Sequence, residues 1–180
     1  MTHLLAHAVH EGHGLTAGLL HPLVGLDHLL AAVAVGMVGS RLGQRARTAL
    51  PAMFVAGTML GLALSQVGLS LPGVEPGIAL SLVVLGLALA FHKARAAWPA
   101  AAIIGGFAIF HGQAHAAEQA ASSGLLAYAL GLCIATASLH AAGVGIASSA
   151  SLPTRRQLAL MRTLAALTFS FGAFKLVGSI

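Results

Sequence analysis

The chain has 180 residues, of which 58% are hydrophobic, 7% charged and 5% aromatic, and its mean hydropathy is +0.92. Soluble globular domains carry about 25% charged residues, so this composition excludes a soluble fold. The net charge of +5 is too small and too scattered for a nucleic-acid-binding surface, and a single cysteine excludes an intrachain disulfide. Histidine is unusually frequent. The chain has ten histidines, compared with nine Lys and Arg together and four Asp and Glu together.

Six apolar segments follow one another along the chain, separated by short charged or turn-rich loops. A hydrocarbon layer of about 30 Å is crossed by about 20 helical residues. We therefore predict an all-α, polytopic membrane protein with one six-helix transmembrane domain over residues 15–180. Loops this short leave no extramembrane catalytic domain, and we do not expect an enzyme. The predicted spans are 15–39, 48–67, 76–92, 99–117, 123–149 and 157–178.

The first fourteen residues form a His-rich tail in which His3, His7, His10 and His13 are spaced four, three and three residues apart. This spacing lines the imidazoles along one stripe of a helix, and a flexible tail would present them as a loose comb. We expect the tail to capture metal ions, the alternative being an incidental polar tail. It lacks the basic and apolar regions of a signal peptide, so either it crosses the membrane unaided or the numbering starts near a mature end.

The first span places His21, Asp27 and His28 inside an otherwise apolar helix. A charged Asp at the bilayer centre costs about 2.5 to 3.5 kcal/mol even on a lenient insertion scale, which favours a functional role. Pro22 removes a backbone donor, so we expect a kink there that re-aims the three side chains. The alternative is a proline kink whose histidines only bond across helices. His21 and His28 are seven residues apart and are expected to share a helix face.

The fourth span ends on a second polar motif, His111, His115 and Glu118, which falls within about 60° on one helical stripe. Imidazole nitrogens with a carboxylate suit nickel, copper and zinc. The alternative is an interfacial helix end in which His115 and Glu118 simply pair. Counting residues from the outer helix ends gives the two motifs overlapping depths. We therefore predict one metal path that uses both helices and runs from the outer face to mid-membrane.

The fifth span carries His140 in its inner half. This residue is a candidate lower relay, and a lone histidine bonded to a backbone carbonyl is an equal alternative. Methionine and phenylalanine side chains are expected to serve in packing. The glycines of residues 57–61 and 143–145 predict close helix contacts.

The cations give the orientation, because Lys and Arg accumulate in cytoplasmic loops. Eight of the nine lie in or beside alternate loops, and the acids of the remaining loops lie on the other side. Both termini are therefore predicted to lie outside. Lys175, the exception, is expected to snorkel from the last turn of span six.

Three segments, HPLVGLDHLLAAVAVG in span one, LPGVEPGIALS before span three and FHGQAHAAE in span four, closely resemble the HupE/UreJ family of nickel/cobalt permeases. The resemblance covers nearly the whole chain. It implies a multi-pass protein of the bacterial cytoplasmic (inner) membrane that takes up Ni(II), with Co(II) as a second cargo and no permanently bound cofactor. Gln113 and Ala116 stand where many members have His and Gly, and Gln113 is kept as a candidate relay.

The resemblance also implies residue roles. The tail histidines would collect the ion, His21, His115 and Glu118 would strip its water, and Asp27, His28 and His111 would hold it. Divalent metal ions and the lipid bilayer are then the expected partners, without nucleic acid, and no phosphate-binding glycine motif is present to power a pump. Two alternatives from other classes remain open at this point. Histidines on facing helices also ligate haem, and two histidines with a carboxylate also form an intramembrane zinc hydrolase site.

Overall fold

The computed structural model describes residues 14–91, 97–119, 124–149 and 154–179. These residues form seven α-helices and no strand, which confirms the all-α prediction. Every predicted boundary lies within four residues of the observed one. The helices are α1 (Gly14–Val24), α2 (Leu26–Leu42), α3 (Gln44–Gln66), α4 (Val74–Ala90), α5 (Ala97–Gln119), α6 (Leu125–Ser148) and α7 (Thr154–Gly178).

The polytopic membrane fold is also confirmed. By length and apolar composition, α3, α6 and α7 are each able to cross a membrane, and the bent pair α1 and α2 adds a fourth span. Helix α4 is apolar but has only 17 residues, and the 23 residues of α5 include the polar motif. Large apolar side chains such as Val24 and Leu126 face outward, as a lipid environment favours. The predicted number of six corresponds to counting α1 and α2 as one span.

Small residues bring the helices together in close pairs. A Cβ added at Gly36 of α2 would lie 2.1 Å from the carbonyl oxygen of His140 on α6. A Cβ added at Gly112 of α5 would lie 2.0 Å from the carbonyl oxygen of Thr58 on α3. Contacts this close require glycine, so they fix α5 and α6 against their neighbours. The prediction of close contact is wrong at Gly145, where an added Cβ would meet open space.

The first span is broken, with α1 and α2 meeting at 79°. The break falls at Gly25, whose backbone is extended (φ −73°, ψ 105°). The predicted kink is therefore confirmed, but it lies three residues beyond Pro22. A Cβ on Gly25 would lie 3.1 Å from Nδ1 of His28 and 3.2 Å from Oδ1 of Asp27. The missing side chain thus leaves room for the polar first turn of α2.

Candidate metal centre

The bend brings the two histidines of the first span together. Seven residues of a straight helix rise about 10.5 Å, which would hold His21 and His28 two turns apart. In the bent pair their ring centroids lie 5.5 Å apart. The expectation that a shared face of one helix aligns them is therefore wrong, because the chain turns by 79° between them.

Helix α5 adds its two histidines to the same place. The ring of His115 lies 4.7 Å from that of His21 and 4.4 Å from that of His28, and the ring of His111 lies 4.9 Å from that of His28. The hydroxyl of Tyr128 lies 3.5 Å from Nδ1 of His115. The two motifs thus meet, as their depths predict. All four rings are largely or wholly removed from solvent.

One nitrogen from each of His21, His28 and His115 lies within 4.8 Å of the other two. We call these residues the three-histidine group. Nitrogen ligands about 2.1 Å from one ion are at most about 4.2 Å apart, so small ring rotations would bring all three onto one cation. Neutral imidazoles are ligands for nickel, copper and zinc. The group therefore has the chemistry and the spacing of a first coordination shell.

Asp27 orients the central histidine of the group. Its Oδ1 accepts a hydrogen bond from Nδ1 of His28 at 2.7 Å and another from the His28 backbone N–H at 2.9 Å. A carboxylate only accepts, so the ring proton is on Nδ1 and the lone pair is on Nε2. That Nε2 is buried and has no hydrogen-bond partner. A carboxylate that holds the far nitrogen of an imidazole is the usual support of a histidine metal ligand.

The second oxygen of Asp27 is also occupied. Its Oδ2 accepts a hydrogen bond from Nζ of Lys175 at 2.7 Å, and the same ammonium lies 2.9 Å from Oε2 of Glu75. Both oxygens of Asp27 therefore have hydrogen-bond partners, and its role in holding the ion stays a prediction. The Lys175 ammonium contacts two acids and ties α7 to α2 and α4. The sequence signal for this tie is that Lys175 lies in the last turn of α7, away from the arginine-rich loops.

His111 is fully buried and contacts the three-histidine group through the ring of His28. The hydroxyl of Ser81 donates to the carbonyl of Ile78 at 2.7 Å, so it accepts the hydrogen bond that joins it to Nε2 of His111 at 2.9 Å. Nδ1 of His111 then carries the lone pair, and it is buried without a hydrogen-bond partner. His111 is thus a further available ligand, oriented by a serine that the sequence did not single out.

His140 stands apart from the other described histidines. Its Nδ1 lies 2.7 Å from the carbonyl oxygen of Ala32, to which it donates, and its Nε2 is buried without a hydrogen-bond partner. Phe54 contacts His111 and His140, with its ring centroid 5.2 Å from each. The backbone hydrogen bond considered from the sequence is present, and it leaves Nε2 available.

Gln113 holds a loop and does not join the histidines. Its Oε1 accepts from the backbone N–H of Leu71 at 2.7 Å, and its Nε2 donates to the carbonyl of Leu69 at 2.8 Å. Both ends of the amide are therefore engaged by the segment between α3 and α4. These contacts give Gln113 a structural role, and its candidate role as a relay stays a prediction.

We expect Gln113→Leu to destabilise the protein without weakening nickel binding. The substitution removes the two hydrogen bonds that hold Leu69 and Leu71, each worth about 0.5–1.5 kcal/mol. Thermal unfolding in detergent should shift to lower temperature, while calorimetric titration should give the wild-type nickel affinity. A loss of affinity with unchanged unfolding would instead put Gln113 in the metal path.

Five predicted site residues are outside what the structure describes. The side chain of Glu118 is one, and the remaining four are the tail histidines His3, His7, His10 and His13. Their roles stay predictions.

The comparisons with known proteins identify the family of this chain. The family described as "HupE / UreJ protein" matches residues 1–174. "Protein HupE" of Rhizobium leguminosarum bv. viciae is 43% identical over 143 residues, which cover 79% of this chain and 75% of that protein. No solved structure matches. The chain belongs to the HupE/UreJ family, a family of membrane transporters, not enzymes, that is associated with nickel and cobalt transport.

Proposed function

We propose that this protein takes up Ni(II), with Co(II) as a second cargo, across the bacterial inner membrane through its intramembrane histidines. The observation that carries the proposal is the three-histidine group, whose nitrogens lie within 4.8 Å of one another in a membrane bundle. An imidazole cluster in a low-dielectric environment is costly to maintain unless it binds something. Membership in a nickel- and cobalt-associated transporter family supplies the choice of metal.

The path begins at the histidines of the tail, which collect the ion. Glu118 and the three-histidine group replace its water. Asp27 acts through His28, making its Nε2 a stronger donor. His111 takes the ion next and passes it towards His140.

Both termini lie outside in this proposal. Asp27, Glu75 and Lys175 meet at one end of the bundle. At the other end, Arg41 donates to the carbonyl of Leu89, and Arg47 lies in the first turn of α3. Since cytoplasmic ends are enriched in Arg and Lys, the arginine end is the inner one.

The haem alternative is not supported by the ring packing. Two histidines that ligate one haem stand on opposite faces of the macrocycle, whereas these rings contact each other at centroid distances of 4.4 to 5.5 Å. The zinc hydrolase alternative is not retained, because the family is a transporter family.

Metal flux into sealed proteoliposomes tests the proposal. Influx of Ni(II), Co(II), Zn(II) and Cu(II) is followed with a trapped indicator dye, with and without a pH gradient, against protein-free vesicles. We expect saturable influx of nickel and cobalt that exceeds that of zinc and copper. Binding of nickel without influx would instead indicate a sensor or storage protein.

A further inference from the structure

The ring of Phe54 on α3 contacts both His111 and His140. It is 4% exposed and lies 5.2 Å from the ring centroid of each histidine. In the described part of the chain, no ring contact joins the two histidines directly. A buried phenyl ring therefore contacts both imidazoles.

Phe54 lies in apolar surroundings. The ring belongs to an apolar cluster with Ala31, Leu50 and Ala108, each of them almost fully buried. A dry apolar constriction opposes the passage of a cation, and channels use such constrictions as gates that open by wetting. The layer between His111 and His140 thus has the composition of a closed gate.

Helix α3 is weakened on both sides of this ring. Pro51, one turn before Phe54, lacks the N–H that would bond to the carbonyl of Arg47. One turn after it, the hydroxyl of Thr58 donates to the Phe54 carbonyl at 3.0 Å and so shares the acceptor of the helical hydrogen bond. Beyond that point, Gly61 packs against the backbone of α5. The helical hydrogen bonds are therefore weakened on both sides of Phe54, while close contacts at Ala46 and Gly57 hold the backbone of α3 in place. Any movement at this point is expected to be a movement of the side chain.

Space is available on the far side of the ring. His140 lines an open groove of about 710 Å³ between α3 and α6, together with Arg47 and Thr48 from the first turns of α3. The rest of its lining is apolar and includes Ala52 and Val55. Phe54 thus separates a region rich in ligands from a groove that reaches Arg47.

We propose that Phe54 is the gate of the transport path, a side chain that closes the route from His111 to His140 and swings aside for each ion. The proposal rests on the proposed function, since a gate requires transport. It assigns no ligand role to Phe54. It therefore predicts changes in flux and selectivity without a change in nickel affinity.

The test compares Phe54→Ala and Phe54→Trp with wild type in proteoliposomes. Phe171→Ala is the matched control, because Phe171 also packs against the apolar cluster and its ring contacts no histidine among the described residues. We expect Phe54→Ala to raise nickel influx and to admit zinc, and Phe54→Trp to lower nickel influx. Each change should be about tenfold, the factor that corresponds to about 1.4 kcal/mol of barrier. Calorimetric nickel affinity should stay at the wild-type value in all variants.

If the wild type transports nickel but influx through both Phe54 variants equals influx through Phe171→Ala, the gate is overturned. The proposed function would still stand in that case. Nickel binding without influx in the wild type would overturn the proposed function and the gate with it. Phe54→Leu keeps the core apolar and gives the same comparison if the alanine variant does not fold. Its influx should also exceed that of the control.

Discussion

Replacement of His28 by alanine is expected to abolish nickel influx. The ring of His28 contacts those of three other histidines, at centroid distances of 4.4 to 5.5 Å. His28 therefore belongs to the three-histidine group and is also the residue from which the ion would pass to His111. Loss of a residue that only supports a metal ligand costs about 10- to 100-fold in affinity, so loss of this ligand should exceed that range. Nickel influx into proteoliposomes and calorimetric affinity measure the two effects.

Thr168→Val is the control for this substitution. Thr168 is buried in α7, and its hydroxyl donates to the carbonyl of Leu164 in its own helix. Valine keeps its shape and changes a buried polar group away from the histidines. Near-normal influx through His28→Ala, at equal amounts of protein in the membrane, would remove the three-histidine group from the transport path.

We expect Asp27→Asn to reduce nickel affinity by about 10- to 100-fold, the usual effect of losing the group that orients a histidine ligand. Asparagine nearly keeps the shape of the side chain but loses the charge that makes His28 a stronger donor. It also removes the negative charge nearest the bound cation. Nickel influx should fall in parallel, because weaker binding at the site no longer compensates for the water that the ion loses. Calorimetric titration and vesicle flux on the same preparation check both.

Glu75→Gln is the matched control, because it removes the other acid that binds Lys175 while leaving His28 untouched. The Glu75 side chain is 58% exposed, and an exposed ion pair of this kind is worth only about 0–1 kcal/mol. Nickel affinity should therefore change little. Equal losses in the two variants would show that the tie through Lys175, and not the support of His28, is what nickel binding requires.

The sequence predicts the helices well because hydropathy and loop chemistry are local properties. It also predicts that the motifs of the first and fourth spans meet, since residue counts along helices convert directly into depth. The 79° break cannot be obtained in this way. Pro22 signals a weakened helix, but the angle depends on where α1 packs. Gly18 fits against the backbone of Tyr128 on α6, a contact between distant parts of the chain.

Side-chain partners account for most of the remaining differences. Asp27 is read as a ligand because its charge is visible in the sequence, whereas Lys175, which occupies its second oxygen, lies 148 residues away. Phe54 looks like packing until the two histidines at its sides are seen. The sequence could have shown that Gln113 points away from the histidines. It is two positions from both His111 and His115, and so lies about 200° round the helix from each.

Nickel K-edge X-ray absorption on the purified full-length protein tests most directly whether the three-histidine group binds the ion. Substituting asparagine at His3, His7, His10 and His13 removes the tail sites, so that bound nickel reports on the intramembrane histidines. We predict scattering from three imidazole rings, falling to two in His115→Ala. A spectrum with only oxygen ligands, or one that His115→Ala leaves unchanged, would contradict the assignment of this site.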